Sequence, residues 1–168
     1  VSLCSMRSLA ANLRRRDMND IKVLCDLVRE TAYAIHVYHA HGHLEKVYEN
    51  ALAHRLRKLG LDVKQQYPLT VHDEDGTVIG EYAADLVVND SLIVELKACR
   101  AIANEHVDQI LGYLKAARME HGVLINFGSY KFEMKKYIDS RERTQGTQTA
   151  RETISGVFFA LSAFFCGY

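Results

Sequence analysis

Apolar residues recur at helical spacing in two stretches near the start of the chain. Asn19 or Asp20 can cap the first predicted helix, which should end near Gly42. Its apolar positions are Ile21, Leu24, Cys25, Val28, Ala32 and Ile35. The second predicted helix ends at Gly60, and its apolar positions are Leu44, Val47, Tyr48, Ala51, Leu52, Leu56 and Leu59. Its other side carries most of the charged residues, which are Lys46, Glu49, Arg57 and Lys58.

After Leu61 the apolar spacing changes to the alternation that is typical of strands. Turn clusters separate three predicted strands at residues 61–71, 77–88 and 92–98. Pro68 places the first of these at a sheet edge or at a bulge. Helical spacing returns at residues 104–119, and the apolar segment 122–128 predicts a buried strand. The basic segment 129–143 is the last predicted element, and its form stays open.

The order α-α-β-β-β-α-β predicts an α/β domain of the mixed α+β kind, with a central sheet flanked by helices. We place this single domain at residues 19–140. Residues 1–18 are predicted to be a disordered or non-native extension, with a targeting segment as the alternative. Residues 141–168 form a C-terminal extension whose tail from Thr153 onward has no charge. That tail is shorter than the roughly 20 residues of a spanning helix, and either packs on the domain or lies outside its fold.

Composition narrows the classes of partner and compartment. The 21 basic and 21 acidic residues balance, so any nucleic-acid binding needs a local basic patch. The four cysteines are scattered without a C-x-x-C pair. That pattern argues against a zinc ribbon or a secreted disulfide scaffold and indicates a cytoplasmic location.

The strand at residues 92–98 carries two charges at one parity. Glu95 and Lys97 are two residues apart and therefore share a face, while Leu92, Val94 and Leu96 share the other. Asp85 of the preceding strand joins this face only with a loop of the right length. A two-residue loop turns Asp85 away from Glu95, whereas the three-residue loop Asn89-Asp90-Ser91 places the two carboxylates opposite each other.

Two carboxylates beside an ammonium group form a candidate metal site. Oxygen ligands suit Mg²⁺ or Mn²⁺, and Mg²⁺ typically takes one or two protein carboxylates together with waters and substrate phosphate. Lys97 can hold or help deprotonate a water molecule, or stabilise charge on phosphoryl oxygens. The alternative is a buried salt-bridged network without a metal, which would be expensive to desolvate.

The arrangement Asp85-x₉-Glu95-x-Lys97 resembles the core motif of the PD-(D/E)XK nuclease superfamily. Within that superfamily, the run from Gly42 through Glu45 to Tyr48 resembles the G-x-x-E-x-x-Y signature of the GxxExxY proteins. Further blocks at residues 82–85, 106–109, 112–115 and 124–128 continue the resemblance over most of the chain.

The resemblance implies a restriction-endonuclease-like fold with an α-β-β-β-α-β core. It also implies that Asp85 and Glu95 are metal ligands for Mg²⁺ or Mn²⁺, and that the helix-borne Glu45 joins or supports them. Lys97 would be the catalytic lysine. Gln109 and Tyr113 would form an accessory catalytic pair on the following helix, although a tyrosine on a half-apolar face is often a core residue with its hydroxyl bonded.

Two other groups of residues have competing interpretations. The histidines at positions 36, 39, 41 and 43 have partly helical spacing, but no cysteine accompanies them and Gly42 interrupts the helix, which favours ordinary histidines over a zinc site. The basic residues after residue 130 favour a solvated face, with a phosphate-contacting strip as the alternative.

The function predicted is metal-dependent hydrolysis of phosphodiester bonds in nucleic acid, with DNA favoured over RNA. The rival is a nucleic-acid-binding or protein-binding module that keeps the nuclease fold without turnover. A membrane partner is not expected. The oligomeric state stays open, with a homodimer among the alternatives.

Overall fold

The computed structural model describes residues 20–140, which fold into three helices and five strands. The helices are α1 (Ile21–His39), α2 (Glu45–Lys58) and α3 (Asn104–Ala117). The strands are β1 (Val63–His72), β2 (Val78–Val88), β3 (Leu92–Lys97), β4 (His121–Asn126) and β5 (Glu133–Ile138). The predicted order is confirmed, and the basic segment whose form was open contributes β5. The predictions for residues 1–18 and 141–168 lie outside the described residues.

Individual residues account for the start of α1 and the end of α2. Asp20 caps α1, and its side chain accepts a hydrogen bond from the Lys22 amide (2.8 Å). The α1 helix ends at His39, three residues before Gly42, which has a φ of 112°. The α2 helix ends just before Gly60, whose φ of 87° confirms its predicted role as the terminator.

The predicted apolar face of α2 is partly wrong. Leu44 and Val47 are 79% and 42% exposed, whereas Glu49 is buried. The reason is that Tyr48 and Leu52, four residues apart, centre the buried stripe. Helical geometry then brings Glu49 into the stripe and turns Val47 towards solvent.

The five strands form one mixed sheet in sequential order from β1 to β5. The β1–β2, β2–β3 and β4–β5 pairs are antiparallel, whereas β3 and β4 are parallel. A parallel pair needs a crossover, and α3 supplies it. Pro68 lies in β1 at the edge of the sheet, as predicted, which is where strands tolerate proline.

Each face of the sheet has its own hydrophobic core. Leu86, Val94 and Leu96 pack on the side of α1 and α2. Val87 and Ile93 pack on the opposite side, under α3. Side chains of β3 therefore alternate between the two cores, and the parity of Ile93 is the parity of the two charged positions that follow it.

The loop between β2 and β3 has three residues, as the arrangement of charges requires. Val88 lies opposite Leu92, so Asn89, Asp90 and Ser91 form the turn. Asn89 and Asp90 both have a φ of 50°, the left-handed conformation that these residue types tolerate. Continued along the strands, this register sets Asp85 against Glu95.

No helix within residues 20–140 is both long and apolar enough to cross a membrane.

Substitutions at Asp90 test the backbone conformation of this turn. Asp90→Val should lower the free energy of unfolding by about 1–2 kcal/mol, because a β-branched residue resists a positive φ. Asp90→Gly suits that φ and loses only an exposed ion pair with Lys64, so its effect should stay within about 0.5 kcal/mol. Urea denaturation of both variants measures the difference. Equal stabilities would contradict the assigned turn.

Candidate active site

The predicted site residues meet at the carboxyl end of β3. Glu45 is the first residue of α2, Asp85 lies near the end of β2, and Glu95 lies in β3. The charges of Asp85 and Glu45 both act on Glu95 and raise its pKa. Tyr113 of α3 is also within electrostatic reach of Glu95. Side chains from α2, β2 and α3 therefore lie within electrostatic reach of Glu95 on β3.

Glu95 and Lys97 form a shielded ion pair on the face of β3 that α3 covers. Lys97 Nζ donates to Glu95 Oε1 at 2.7 Å, and the two side chains are 13% and 2% exposed respectively. The second carboxylate oxygen of Glu95, Oε2, is buried and accepts no hydrogen bond. A buried carboxylate oxygen without a donor is costly and marks an incomplete site.

The pKa values of Glu95 and Lys97 are both raised, and several carboxylates surround one ammonium group. Burial and the charge of Asp85 raise the pKa of Glu95 to about 7, despite its bond to Lys97. Burial would lower the pKa of Lys97, but the bond to Glu95 and the surrounding carboxylates raise it above its ordinary value. Lys97 is therefore an ammonium group at neutral pH, and Glu95 is only partly ionised.

Asp85 takes the place of a ladder bond between β2 and β3. Backbone pairing of the two strands ends at Leu86 and Val94. Beyond that point, Asp85 Oδ2 accepts a hydrogen bond from the Leu96 amide at 2.9 Å. Burial raises the pKa of Asp85, and the Leu96 amide offsets part of that rise. The carboxylate is thereby fixed beside β3 instead of rotating freely.

Gln66 bonds to Asp85 and to Glu49, and neither Gln66 nor Glu49 was predicted from the sequence to lie at the site. The Gln66 side-chain nitrogen Nε2 donates to Asp85 Oδ1 (3.2 Å) and to Glu49 Oε2 (2.9 Å). Gln66 has a φ of 49°, and its direct pairing with Asp85 is absent from the β1–β2 register. Lys46 and Gln65 satisfy the rest of the Glu49 carboxylate. One amide thus bridges two carboxylates from different elements.

A weak signal for these two residues does exist in the sequence. Glu49 follows Glu45 by one helical turn, so the two can share a side of α2. Gln65 and Gln66 are adjacent amides in a strand that otherwise follows an apolar alternation. Neither observation shows which carboxylate an amide will reach, because that depends on the left-handed backbone at Gln66.

Glu45 reaches the site from the other face of the sheet, at the start of α2. Its carboxylate accepts a hydrogen bond from the Ala98 amide and is half-buried. Burial raises the pKa of Glu45, while the charge of Lys97 lowers it. This carboxylate therefore adds to the negative charge around Lys97.

Gln109 and Tyr113 contact each other on α3, as their helical spacing predicts. Gln109 Nε2 donates to the Tyr113 hydroxyl oxygen at 2.6 Å, which leaves the hydroxyl proton available to another acceptor. The Tyr113 ring also packs in the core under α3 and against the Tyr82 ring, with centroids 5.5 Å apart. Both interpretations of this tyrosine, core residue and site residue, are compatible with its position.

The carboxylates at the site suit a hard divalent cation. Glu45, Asp85 and Glu95 carry three negative charges when ionised, against one positive charge on Lys97. The buried Glu95 Oε2 lacks a donor, and oxygen ligands are those that Mg²⁺ and Mn²⁺ prefer. Among residues 20–140, no three Asp, Glu, His or Cys side chains already converge as a preformed metal centre.

A comparison with protein-family models places this chain within a recognised superfamily. A model of the PD-(D/E)XK nuclease superfamily matches residues 22–138, a range that includes every predicted site residue. Among solved structures, the crystal structure of SSO0001 is similar to this chain, with a TM-score of 0.49 and 15% sequence identity. The similarity covers 91% of this chain and 83% of that one. No curated protein matches the chain.

Glu95 should make stability depend on pH in the metal-free protein. Its pKa is about 7 in the folded chain, against an ordinary value of 4.5. The folded state therefore keeps a proton that the unfolded chain releases, and stability falls as pH rises through this window. Glu95→Gln removes this dependence. Its stability relative to wild type should rise by about 2 kcal/mol between pH 5 and pH 8.

Urea denaturation at both pH values, with a chelator present, measures this difference. The other carboxylates are common to both proteins and largely cancel. Parallel stability changes in the two proteins would show that folding does not raise the pKa of Glu95.

Shortening the amide side chain at position 66 should raise the pKa of Asp85. Gln66→Asn keeps an amide and tolerates the left-handed backbone, but is one methylene too short to make the same bonds. The matched control is Gln65→Asn, because Gln65 contacts Glu49 and makes no bond to Asp85. Carboxyl-carbon NMR titration should show the higher pKa in Gln66→Asn alone. The same titration in both variants would remove Gln66 from this role.

Proposed function

Because the chain belongs to the PD-(D/E)XK nuclease superfamily, we propose that it is a metal-dependent nuclease that hydrolyses phosphodiester bonds at the site around Glu95. The observation that carries this proposal is the buried Glu95 Oε2, which has no hydrogen-bond donor although Lys97 holds the other oxygen of the same carboxylate. A site built only for stability would satisfy that oxygen.

Asp85 and Glu95 would hold Mg²⁺ or Mn²⁺, with Glu45 beside them. The excess of carboxylates over ammonium groups and the raised pKa of Glu95 support this assignment. A bound divalent cation would supply Lewis-acid polarisation of the phosphoryl oxygens and neutralise the charge that develops on them. Gln66 and the Leu96 amide orient Asp85 before any ligand binds.

Lys97 would act through its charge and its hydrogen-bond donors. Because its pKa is raised, its side chain is protonated at neutral pH and is a poor base. An ammonium group with three donors can hold a water molecule in line with the phosphorus atom and stabilise negative phosphoryl oxygens. Glu95 fixes the position of Nζ through the 2.7 Å bond.

Tyr113 would donate its hydroxyl proton to a substrate phosphate oxygen. The Gln109 amide occupies a lone pair of the hydroxyl oxygen and so orients the proton away from itself. The packing of the ring in the core under α3 keeps this hydroxyl in place. Gln109 is then a positioning residue that acts through Tyr113.

We further propose membership of the GxxExxY branch, DNA as the preferred nucleic acid, and a cytoplasmic location. The signature residues support the first point: Glu45 faces the site, and the buried Tyr48 hydroxyl donates to the Ala40 carbonyl at 2.8 Å across the turn before α2. DNA rests on the resemblance alone. The unpaired thiols of Cys25 and Cys99 support the reducing compartment.

The rival function is a binding module without turnover. This module would bind nucleic acid or protein, and the balanced charge of the whole chain favours a protein partner, since nucleic-acid binding draws on an excess of basic residues. The same experiment separates the two functions.

The purified protein should cleave nucleic acid with Mg²⁺ or Mn²⁺ and not with a chelator. Single-stranded, duplex and branched DNA, together with RNA, serve as substrates on denaturing gels. Lys97→Ala and Glu95→Gln should each lower the cleavage rate by at least about 100-fold, because each removes a charge at the reacting phosphate.

The chain contains its own control for these substitutions. Glu133 and Lys135 form a second E-x-K pair on β5, with Nζ and Oε1 3.0 Å apart, and Lys135 is exposed. Glu133→Gln and Lys135→Ala should retain cleavage at saturating substrate. Cleavage that survives Lys97→Ala would contradict the assigned site, and binding of nucleic acid without cleavage in either metal would favour the rival function.

A further inference from the structure

Two neighbouring loops carry histidine and tyrosine rings, of which His43 and Tyr130 are exposed and His41 is half-buried. One loop joins α1 to α2 and carries His41 and His43, and the other joins β4 to β5 and carries Tyr130. Tyr130 is 88% exposed, and Tyr38 at the end of α1 is 76% exposed. Exposed rings that lie close together form a patch that a partner can contact.

The rings form two groups, one that joins the loops and one that runs from the end of α1 into the first loop. The ring centroids of His41 and Tyr130 are 4.0 Å apart, which joins the two loops. Tyr38 lies 4.8 Å from His39, and His39 lies 5.9 Å from His43. We call these five residues the ring surface.

Each of the two loops has one end at the candidate active site. The Phe127 amide donates to the Lys97 carbonyl at 2.7 Å, so the second loop begins directly beside the catalytic strand. A Cβ atom on Gly128 would lie 2.3 Å from the Cys99 backbone nitrogen, which shows how closely the loop crosses the end of that strand. In the other loop, His43 lies two residues before Glu45.

Two cationic side chains accompany the rings. The Arg55 guanidinium carbon lies 5.8 Å from the centroid of the Tyr38 ring. Lys131 follows Tyr130 and is exposed. Ring faces together with cations match the two parts of a single-stranded nucleic acid, its bases and its phosphates.

We propose that the ring surface binds unpaired bases of the substrate strand next to the cleavage site. This inference rests on the proposed nuclease function and adds the class of substrate, a strand with a single-stranded segment. Base faces are accessible to side-chain rings only where the strand is unpaired, because a duplex stacks them against each other. His41 and Tyr130 form the centre of the ring surface, and Lys131 contacts the phosphates of the bound strand.

A second copy of this chain is the competing occupant. Leu44 and Val47 are exposed close to the ring surface along the chain and could extend an apolar contact between copies. The cations and the adjacency to Lys97 favour the nucleic acid, since a protein contact there would cover the approach to the site.

Substitutions at Tyr130 separate stacking from other contacts. Tyr130→Trp keeps a ring, whereas Tyr130→Leu keeps apolar bulk and removes the ring. The probes are a fluorescent oligothymidine, an abasic strand of equal length with the same phosphates, and a blunt duplex. Binding is measured by anisotropy at low salt with a chelator, so the outcome does not depend on cleavage.

Tyr130→Leu should weaken oligothymidine binding by about 5- to 100-fold, the effect expected for one stacked base. Tyr130→Trp should bind like the wild type, and binding of the abasic strand should be the same in all three proteins. Equal binding of the oligothymidine and the abasic strand by the wild type, or unchanged binding in Tyr130→Leu, would overturn the inference. So would failure of the wild type to bind any strand, or a change in sedimentation as the sole effect of Tyr130→Leu.

The two proposals fail in different ways. A wild-type protein that binds oligothymidine through Tyr130 but cleaves nothing would refute the nuclease and retain the ring surface. A protein whose cleavage of nucleic acid depends on Lys97, but which binds normal and abasic strands equally, would support the nuclease proposal and refute the ring-surface proposal.

Discussion

The burial of Glu95 beside a single ammonium group is the constraint on which the site depends. Lys97 is the ammonium group that faces the carboxylates of Glu95, Asp85 and Glu45. The Glu95 oxygen Oε2 has no hydrogen-bond donor. The hydrophobic cores on both faces of the sheet hold β3 in register, so this carboxylate cannot turn out to solvent without disturbing its neighbours. The fold therefore stores an unfavourable electrostatic arrangement at one strand end, and a cation is the ligand that would relieve it.

The sheet makes room for this arrangement by a matched irregularity in two strands. Tyr67 and Ala84, on one side of the Gln66–Asp85 level, belong to the core under α3. Val63 on the other side of the same level faces the opposite core. The Gln66 backbone absorbs the change of face in β1 with its positive φ, and the Asp85 carboxylate bonds to β3 where the ladder stops. A local fault in pairing is thus what frees a carboxylate for the site.

Strand parity and loop length predicted the three-residue loop and the shared face of Glu95 and Lys97, because side chains alternate along a regular strand such as β3. Glu95 and Lys97 had to share a face, and a three-residue loop had to bring Asp85 to them. Helix faces were predicted less well. Glu49 was assigned to the solvent side of α2, since a charged residue is ordinarily exposed, and only tertiary contacts with Lys46 and two glutamines make its burial favourable. The left-handed backbone of Gln66 has no signal in its residue type.

Gly128 divides the second loop into a part that cannot change and a part that can. Backbone lies directly against its Cα hydrogens, so the crossing over the end of β3 accommodates no side chain. At the loop tip, the side chain of Tyr130 is open to solvent. If Tyr130 binds substrate as proposed, the side chains of the loop tip could change during evolution while the backbone beside Lys97 stays the same. Gly128 would then separate the part of the loop that can set specificity from the part that is fixed beside β3. Such a separation would let one scaffold acquire different specificities.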